Sequence, residues 1–399
     1  MNNYNTTPNV FFCQQRKGAV VVMVAVTLVV LLGCAALAVD IGYLYVARAE
    51  LQRTADAAAL AGAEALARGS DTPFGEHLYR EDIYNQAESY ALSNKVLRQG
   101  LVLDRNTDIT IGYLADPHDR SATVQIVSLG QCNAVQVTAR RTANNGGEIS
   151  LFFAPLWGIN SSAVGATAIA VLDDRFYAYA PKPIGGVGAV PLAVDEQLWN
   201  DQIVAGNGED QHSFDRVTGN VSASLDSVPE IKLFPTKVDP STGEEGAGNF
   251  GVLHIGPGSG TSTIVEQITN GVSADDFTDL TGEPMIKFYD QISAEPITYG
   301  SVSYDILGNP GIKSSMEDAL QAKIGKKVAV FLYNSASGSG GNTVFSVTGM
   351  RFVRVMTVDL HGENKAIVIQ RVPYYGPDIL TSPYVPSTDG LTGTLQLVR

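Results

Sequence analysis

The residues that could do chemistry are few and lie far apart in the sequence. A glycine-rich run from Gly256 to Thr261 (GPGSGT) joins a predicted strand to a predicted helix, which is where loops that bind anions are found. The run has neither the Lys of a P-loop nor the last glycine of a dinucleotide-binding loop. A capping box of Thr263 and Glu266 explains it without a ligand, so we expect no cofactor-binding residue here.

The spacing of the acidic residues and histidines also matches no metal-binding or catalytic motif. The run from Asp119 to Thr123 matches the metal-ion motif of von Willebrand A domains only superficially, since no apolar strand precedes it, and a turn is expected. Asp275, Asp276 and Asp279 share a predicted loop without the glycine-hinged spacing of a calcium loop, so an acidic turn is expected. The histidines are scattered, at His77, His118, His212, His254 and His361. No zinc-enzyme or serine-hydrolase motif is present, so we predict a protein that is not an enzyme and has no metal ligands.

Composition excludes some classes of protein. The chain has 399 residues and a formal net charge of −14, whereas a nucleic-acid surface needs clustered Lys and Arg. This length predicts two domains, or one domain with insertions. Cys13, Cys34 and Cys132 are predicted to lie in the cytoplasm, the membrane and outside, so no disulfide within the chain is expected.

The longest apolar run lies near the N-terminus. Residues Gly18 to Val39 carry no charge and follow Arg16 and Lys17. As a helix they would extend about 33 Å, against about 30 Å for the hydrocarbon core of a bilayer. The basic pair favours an N-terminus in the cytoplasm. We therefore predict a cytoplasmic tail over residues 1–17, a transmembrane helix over 18–39 and an extracytoplasmic remainder.

Two other fates of this N-terminus stay open. A cleaved signal peptide has the same basic start and apolar core, although the run is long for one and its small-residue cleavage sites are marginal. Leu31 to Cys34 is similar to a lipobox, in which the Cys34 thiol would be acylated. A small buried thiol in a helix is the simpler interpretation of Cys34.

The helix is expected to continue beyond the membrane, because Asp40 to Arg68 is rich in strong helix formers and has no Pro. Asp40 and Gly42 are expected to mark the membrane exit. Small residues and leucines recur on one face at steps of three and four, at Leu44, Ala47, Leu51, Ala55, Ala58 and Gly62. Such a face can admit a helix of another subunit or pack on the protein's own ectodomain, and the sequence leaves both open.

The sequence pattern after the predicted transmembrane helix indicates an α+β fold whose sheets are mainly antiparallel. Residues 40–174 read as a long helix plus a sheet, 175–191 as a linker rich in Pro and Gly, and 192–399 as a β-rich domain. Strands are predicted at Ile109 to Tyr113, Thr123 to Val127, Ala134 to Thr138, Ala163 to Leu172, Val252 to Ile255, Lys327 to Leu332, Asn342 to Thr348, Phe352 to Val358 and Ala366 to Val372. Helices are predicted at Glu81 to Arg98, Ser150 to Trp157, Thr263 to Thr269 and Ser314 to Ile324.

The N-terminal 65 residues resemble the TadG-like family of the Flp (tight adherence) pilus-assembly system. The matching features are Lys17-Gly18, the apolar span, and the motif residues Asp40, Gly42, Leu51, Gln52, Ala55, Asp56, Ala58, Ala59 and Gly62. The resemblance implies a bacterial inner-membrane protein with an extracytoplasmic domain, which serves a pilus or secretion apparatus. Met23 stands where related pseudopilins have Glu, which argues against processing after Gly18.

Three functions are compatible with these features. The first is a single-pass membrane scaffold whose motif residues pack with other pilus-assembly or secretion subunits, with no nucleic acid and no cofactor. The second is a membrane-tethered or lipidated surface protein that binds a ligand through the glycine-rich loops at 256–262 and 335–342. The third is a periplasmic hydrolase, for which the sequence offers no motif.

Overall fold

The computed structural model describes most of the chain, namely residues 17–68, 76–119, 121–127, 132–215, 217–234, 236–238, 245–247, 249–361, 365–387 and 392–398. Residues 1–16 of the predicted cytoplasmic tail lie outside these ranges, as does the stretch from Gly69 to Pro73, where the sequence predicts a break after the long helix.

Six α-helices are described: α1 Lys17–Arg68, α2 Glu76–Ser93, α3 Glu196–Trp199, α4 Thr261–Asn270, α5 Ala274–Thr281 and α6 Glu317–Gln321. Short 3-10 helices occupy Ala154–Trp157, Ser314–Met316 and Gly340–Asn342, and a π-helix occupies Asn200–Val204.

The strands of the first half are β1 Lys95–Val96, β2 Gln99–Gly100, β3 Ile109–Gly112, β4 Ala134–Arg141, β5 Ile149–Ser150, β6 Ser161–Ser162, β7 Val164–Asp173, β8 Phe176–Tyr179, β9 Ala189–Asp195, β10 Ser213–Phe214, β11 Val221–Ser222 and β12 Glu230–Leu233. Those of the second half are β13 Thr236–Val238, β14 Glu245–Ala247, β15 Phe250–Leu253, β16 Ile286–Lys287, β17 Tyr289–Ala294, β18 Ile297–Ser301, β19 Tyr304–Asn309, β20 Lys327–Ser337, β21 Thr343–Asp359, β22 Ala366–Arg371, β23 Tyr374–Tyr375, β24 Ile379–Thr381 and β25 Thr392–Val398.

Helix α1 is continuous over 52 residues, as its composition predicts. At 1.5 Å per residue it is about 78 Å long. Its first part exposes large apolar side chains almost throughout from Val20 to Val46, whereas from Ala47 onwards one face is buried and Arg48, Arg53 and Glu64 stay exposed. The helix is long and apolar enough to cross a membrane.

The buried half of α1 packs on a five-stranded sheet of order β23-β25-β7-β4-β3. The core between them consists mostly of small side chains, with Leu51, Ala55 and Ala58 from α1 facing Val135 and Ala168 from the sheet. Helix α2 packs beside α1 through Ala87, which belongs to the same core. Small residues allow the helix to lie close to the strands.

The larger sheet has the order β12-β22-β21-β19-β15-β9-β20. Strand β21 pairs with both β19 and β20, so five of these strands close into a ring. Most pairs are antiparallel, but β9 and β20 are parallel. The predicted α+β class with mainly antiparallel sheets is confirmed.

Several local predictions are wrong. Residues 123–127 form only an isolated bridge from Gln125 to Tyr113. The predicted helix over 150–157 is reduced to the 3-10 turn at Ala154–Trp157, because Pro155 lacks a backbone N–H. The strands predicted at 342–348 and 352–358 are one continuous strand, β21. Its pairing with β20 shifts register near Leu332 and Tyr333 of β20.

The two sheets are joined by more than the stretch between residues 175 and 191. That stretch contains β8 and the start of β9, so it is not free of structure. The last strand, β25, returns to pair antiparallel with β7, from Thr394 opposite Asp173 to Val398 opposite Ile169. The division into units at residues 174 and 192 stays a prediction.

Candidate functional site at the membrane exit

The most specific contact of the N-terminal region is made by Asp40. Its carboxylate accepts hydrogen bonds from three consecutive backbone N–H groups, those of Phe152 at 2.8 Å, Phe153 at 3.0 Å and Ala154 at 2.7 Å. The residue is only 3% exposed although it lies where α1 leaves the predicted span. A carboxylate that loses water needs such donors, and these three replace the solvent.

The partner of Asp40 is the tip of a hairpin between β5 and β6. Its first turn is the 3-10 helix at Ala154–Trp157, which has no capping side chain of its own. The first N–H groups of any helix lack partners within it, and here Asp40 supplies the acceptor from a different element. Gly158 ends the turn with φ of +84°, a left-handed conformation that favours glycine.

This tip exposes large apolar side chains to an unusual extent. Its exposed members are Phe152 (63%), Phe153 (40%), Leu156 (79%), Trp157 (64%) and Ile159 (57%). We call residues 151–159 the apolar tip. Its Phe152 ring packs edge-on against Tyr43 of α1, with ring centroids 5.1 Å apart.

The predicted packing motif divides into buried and exposed parts. Leu51, Ala55, Ala58 and Ala59 are fully buried in the protein's own core. Gly62 is buried as well, and a Cβ on it would lie 2.9 Å from Val135 Cγ1 of β4. This part of the face is therefore occupied by the protein's own sheet, which was one of the two interpretations that the sequence left open.

The remaining motif residues lie at the edge of that contact. Gln52 donates to Asp56 at 2.9 Å and to the Thr167 carbonyl of β7 at 3.3 Å. Gly42 is exposed, and no atom would lie within 4 Å of a Cβ built on it. The structure thus brings Leu51 to Gly62 together against the sheet, and Asp40 against the apolar tip.

The other candidates from the sequence have local structural explanations. Asp119 accepts hydrogen bonds from the N–H and the hydroxyl of Ser121, which hold its pKa below the usual range in an ordinary turn. Helix α4 begins at Thr261 after Gly260, so the predicted capping box of Thr263 and Glu266 is wrong.

The acidic run at 275–279 is not a loop but part of α5. Ser273 and Asp276 form the capping box of that helix, with the Asp276 N–H donating to Ser273 Oγ at 3.1 Å and the Ser273 N–H donating to Asp276 Oδ2 at 2.9 Å. Acidic side chains in a first turn are favoured by the helix dipole.

One group in the described ranges has metal-ligand chemistry. Glu317, Asp359 and His361 each offer an atom within 4.8 Å of the others. His361 Nδ1 lies 2.5 Å from Glu317 Oε2, and the imidazole is 79% exposed. The direct contact between the His361 imidazole and the Glu317 carboxylate accounts for this geometry.

Two family models match the N-terminal part of the chain. Residues 18–65 match a Flp pilus-assembly family described as TadE/G-like, and residues 47–170 match a second one described as Tad-like Flp pilus assembly. Together the two matches span residues 18–170, and this part of the chain is similar to Tad pilus-assembly proteins. No curated protein and no solved structure matches the chain.

The predicted TadG-like resemblance is confirmed, and the second match carries the Tad region beyond the 65 residues on which the prediction rested. Asp40 lies in the first match and the apolar tip in the second. The Tad match and the apolar helix together support a pilus-assembly membrane protein.

Proposed function

We propose that this protein is a single-pass, non-enzymatic scaffold of a Flp-type pilus-assembly or secretion apparatus. The observation that carries the proposal is the continuity of α1. One unbroken helix supplies an apolar, exposed segment and then packs at the centre of a folded α+β unit. A rigid link between an anchor and a folded body suits a subunit that must hold its ectodomain at a fixed height.

The proposed topology places residues 1–17 in the cytoplasm and residues from Asp40 onwards outside it, in the bacterial inner membrane. Arg16 and Lys17 support this orientation. Protease added to spheroplasts should digest the C-terminal body, and protease added to inverted vesicles should not. The opposite pattern would refute the orientation.

Contacts with other assembly subunits are proposed through the part of α1 that the fold leaves open. Val29 is 69% exposed and Tyr45 75% exposed, whereas the face from Leu51 to Gly62 is covered. A photo-reactive amino acid at Val29 or Tyr45 should crosslink to co-expressed pilus-assembly proteins. The same group at Leu225, 76% exposed on the body, serves as the control. Equal adducts at all three positions, or none, would contradict the proposed contact.

The state of the N-terminus is tested by the intact mass of protein extracted with detergent. The full-length mass supports a permanent anchor. A chain that begins at Ala19 would instead indicate a processed, pilin-like subunit. A chain that begins at an acylated Cys34 would indicate a lipoprotein and would overturn the transmembrane assignment. Hydrolytic turnover by the purified protein would contradict the non-enzymatic role.

A further inference from the structure

We infer that the apolar tip inserts into the interfacial layer of the membrane that α1 crosses, so that the ectodomain has a second point of attachment to the bilayer. This rests on the proposed span over residues 18–39 and adds a lipid-binding site to it. The occupant is the bilayer surface, and three observations on the structure support it.

The first observation is the height of the tip along α1. In an α-helix each Cα–Cβ bond tilts towards the helix N-terminus, which for Asp40 is the direction of the apolar segment. The Asp40 carboxylate therefore lies level with its own Cα or closer to the membrane. The N–H groups of Phe152 and Ala154 lie within 3.0 Å of that carboxylate, so the tip begins at the membrane exit.

The second observation is the chemistry of the tip. No charged residue occurs between Glu148 and Asp173, and five apolar side chains within residues 152–159 are exposed. Trp and other aromatic residues favour the boundary between lipid headgroups and hydrocarbon. Exposed apolar residues that occur singly are ordinary on a protein surface, but a contiguous group of this kind indicates an interaction surface.

The third observation is that the surface is continuous with the membrane-spanning helix. Ile41 and Tyr45 of α1, which follow Asp40 by one and five residues, are 57% and 75% exposed. Tyr43 joins the two elements through its contact with the Phe152 ring. Helix and tip thus form one apolar surface around the membrane exit, and the lipid that surrounds the helix would also meet the tip.

Asp40 has a defined part in this arrangement. A bare carboxylate at the edge of the hydrocarbon is costly, and so are three unpaired N–H groups on a loop that enters lipid. Their mutual hydrogen bonds remove both penalties. Asp40 is therefore a positioning residue that holds the tip at the height of the bilayer surface.

The two tryptophans make the inference testable in the full-length protein. Trp157 is 64% exposed, whereas Trp199 is 1% exposed in the core and provides a constant background. The protein is placed in vesicles of phosphatidylcholine and phosphatidylglycerol, and its tryptophan fluorescence is measured with two quenchers. Phospholipids brominated near the glycerol backbone should quench Trp157, whereas iodide in the aqueous phase should not. Trp157→Phe should abolish the loss caused by the brominated lipid.

Two matched variants each introduce one negative charge, the first on the apolar tip and the second, as a control, at an exposed leucine far along the chain in the ectodomain. Leu156→Asp should shift Trp157 emission to the red and reduce quenching by brominated lipid, whereas Leu225→Asp should behave as wild type. The two leucines are equally exposed, at 79% and 76%. Circular dichroism of both variants verifies that the fold is retained.

The outcomes separate this inference from the proposed anchor. Failure of the protein to float with vesicles after an alkaline wash would overturn the anchor itself. A protein that floats, but whose Trp157 is quenched by iodide and not by brominated lipid, would overturn only the insertion of the tip. Shielding of Trp157 that requires native membranes and is absent in pure lipid would show that a protein subunit covers the tip, and would also overturn the inference.

Discussion

The Asp40 carboxylate of α1 accepts a hydrogen bond of 2.7 Å from the backbone N–H of Ala154, 114 residues further along the chain. With the bonds from Phe152 and Phe153, it ties the hairpin tip to the helix at the point where the predicted membrane span ends. The position of the tip therefore depends on one side chain of the helix.

Loss of this carboxylate should release the tip. In Asp40→Ala, three N–H groups lose their acceptor, so chymotrypsin should cleave the detergent-solubilised protein several-fold faster after Phe152, Phe153 or Trp157. Mass spectrometry of early fragments locates the cuts. Asp215→Ala is the control, since Asp215 accepts bonds from Val217 and Thr218 in a separate turn. An unchanged cleavage rate in Asp40→Ala would mean that the hydrogen bonds do not fix the tip.

Two glycines of the same helix should respond differently to the same substitution. A Cβ at Gly62 would lie 2.9 Å from Val135 Cγ1, whereas a Cβ at Gly42 has no neighbour within 4 Å. Gly62→Leu should therefore lower the free energy of unfolding by about 1–3 kcal/mol through overpacking. Gly42→Leu should leave it unchanged or raise it by up to about 1 kcal/mol, because Leu is the better helix former.

Urea unfolding of the two variants in detergent, followed by circular dichroism, measures this difference. Gly42→Leu should in addition weaken crosslinking from Tyr45 to pilus-assembly proteins if those proteins contact the exposed helix. Equal stability of the Gly62 and Gly42 variants would show that the small-residue face is not packed on the sheet in solution.

The elements that depend on local composition can be predicted from the sequence. The length of α1 follows from an uninterrupted run of helix formers, and strands such as β4 and β7 follow from alternation of apolar and polar residues. The partner of a buried face cannot be obtained this way. The spacing of Ala55, Ala58 and Gly62 fits a second helix as well as a sheet, and in the structure Gly62 meets both, namely Val135 of β4 and Ala87 of α2.

The site at the membrane exit was missed for a related reason. The sequence marked Asp40 as the end of the span but gave no sign of its acceptor role, because the donors are backbone groups of a distant loop. A signal is present in the charge-free run around Phe152 and Trp157, for which the sequence pattern predicts a short apolar helix. Pro155 in that run argues for a turn, and turns lie at surfaces.

The buried carboxylate of Asp378 should make stability depend on pH. Burial raises its pKa above the ordinary value of 3.8, although Tyr374 donates to its Oδ1 at 2.6 Å and the Val187 N–H to its Oδ2 at 2.9 Å. The folded state then binds a proton at a pH where the unfolded chain has lost it. This group's contribution to stability is complete below 3.8 and is lost as the pH rises through the folded-state pKa.

Chemical unfolding of the wild type and of Asp378→Asn at about pH 4 and about pH 7 tests this linkage. The stability of the wild type relative to the variant should be greater at the lower pH. Tyr374→Phe keeps the aromatic ring stacked on Phe352 but removes the hydroxyl whose hydrogen bond lowers the pKa of Asp378. The stability of this variant should therefore depend more steeply on pH than that of the wild type. If the stability of the wild type relative to Asp378→Asn instead rose with pH, the pKa of Asp378 could not be raised in the folded state.

The last strand should be required for the N-terminal unit to fold. Strand β25 pairs with β7 from Thr394 to Val398, and Leu395 and Leu397 pack against the core beneath α1. Termination after residue 391 exposes the edge of β7 and removes both leucines. We therefore expect residues 40–174 to become sensitive to protease at low concentration. A truncated protein that resists protease like the full chain would show that the N-terminal unit is independent of the C-terminal strand, as the predicted division of the chain requires.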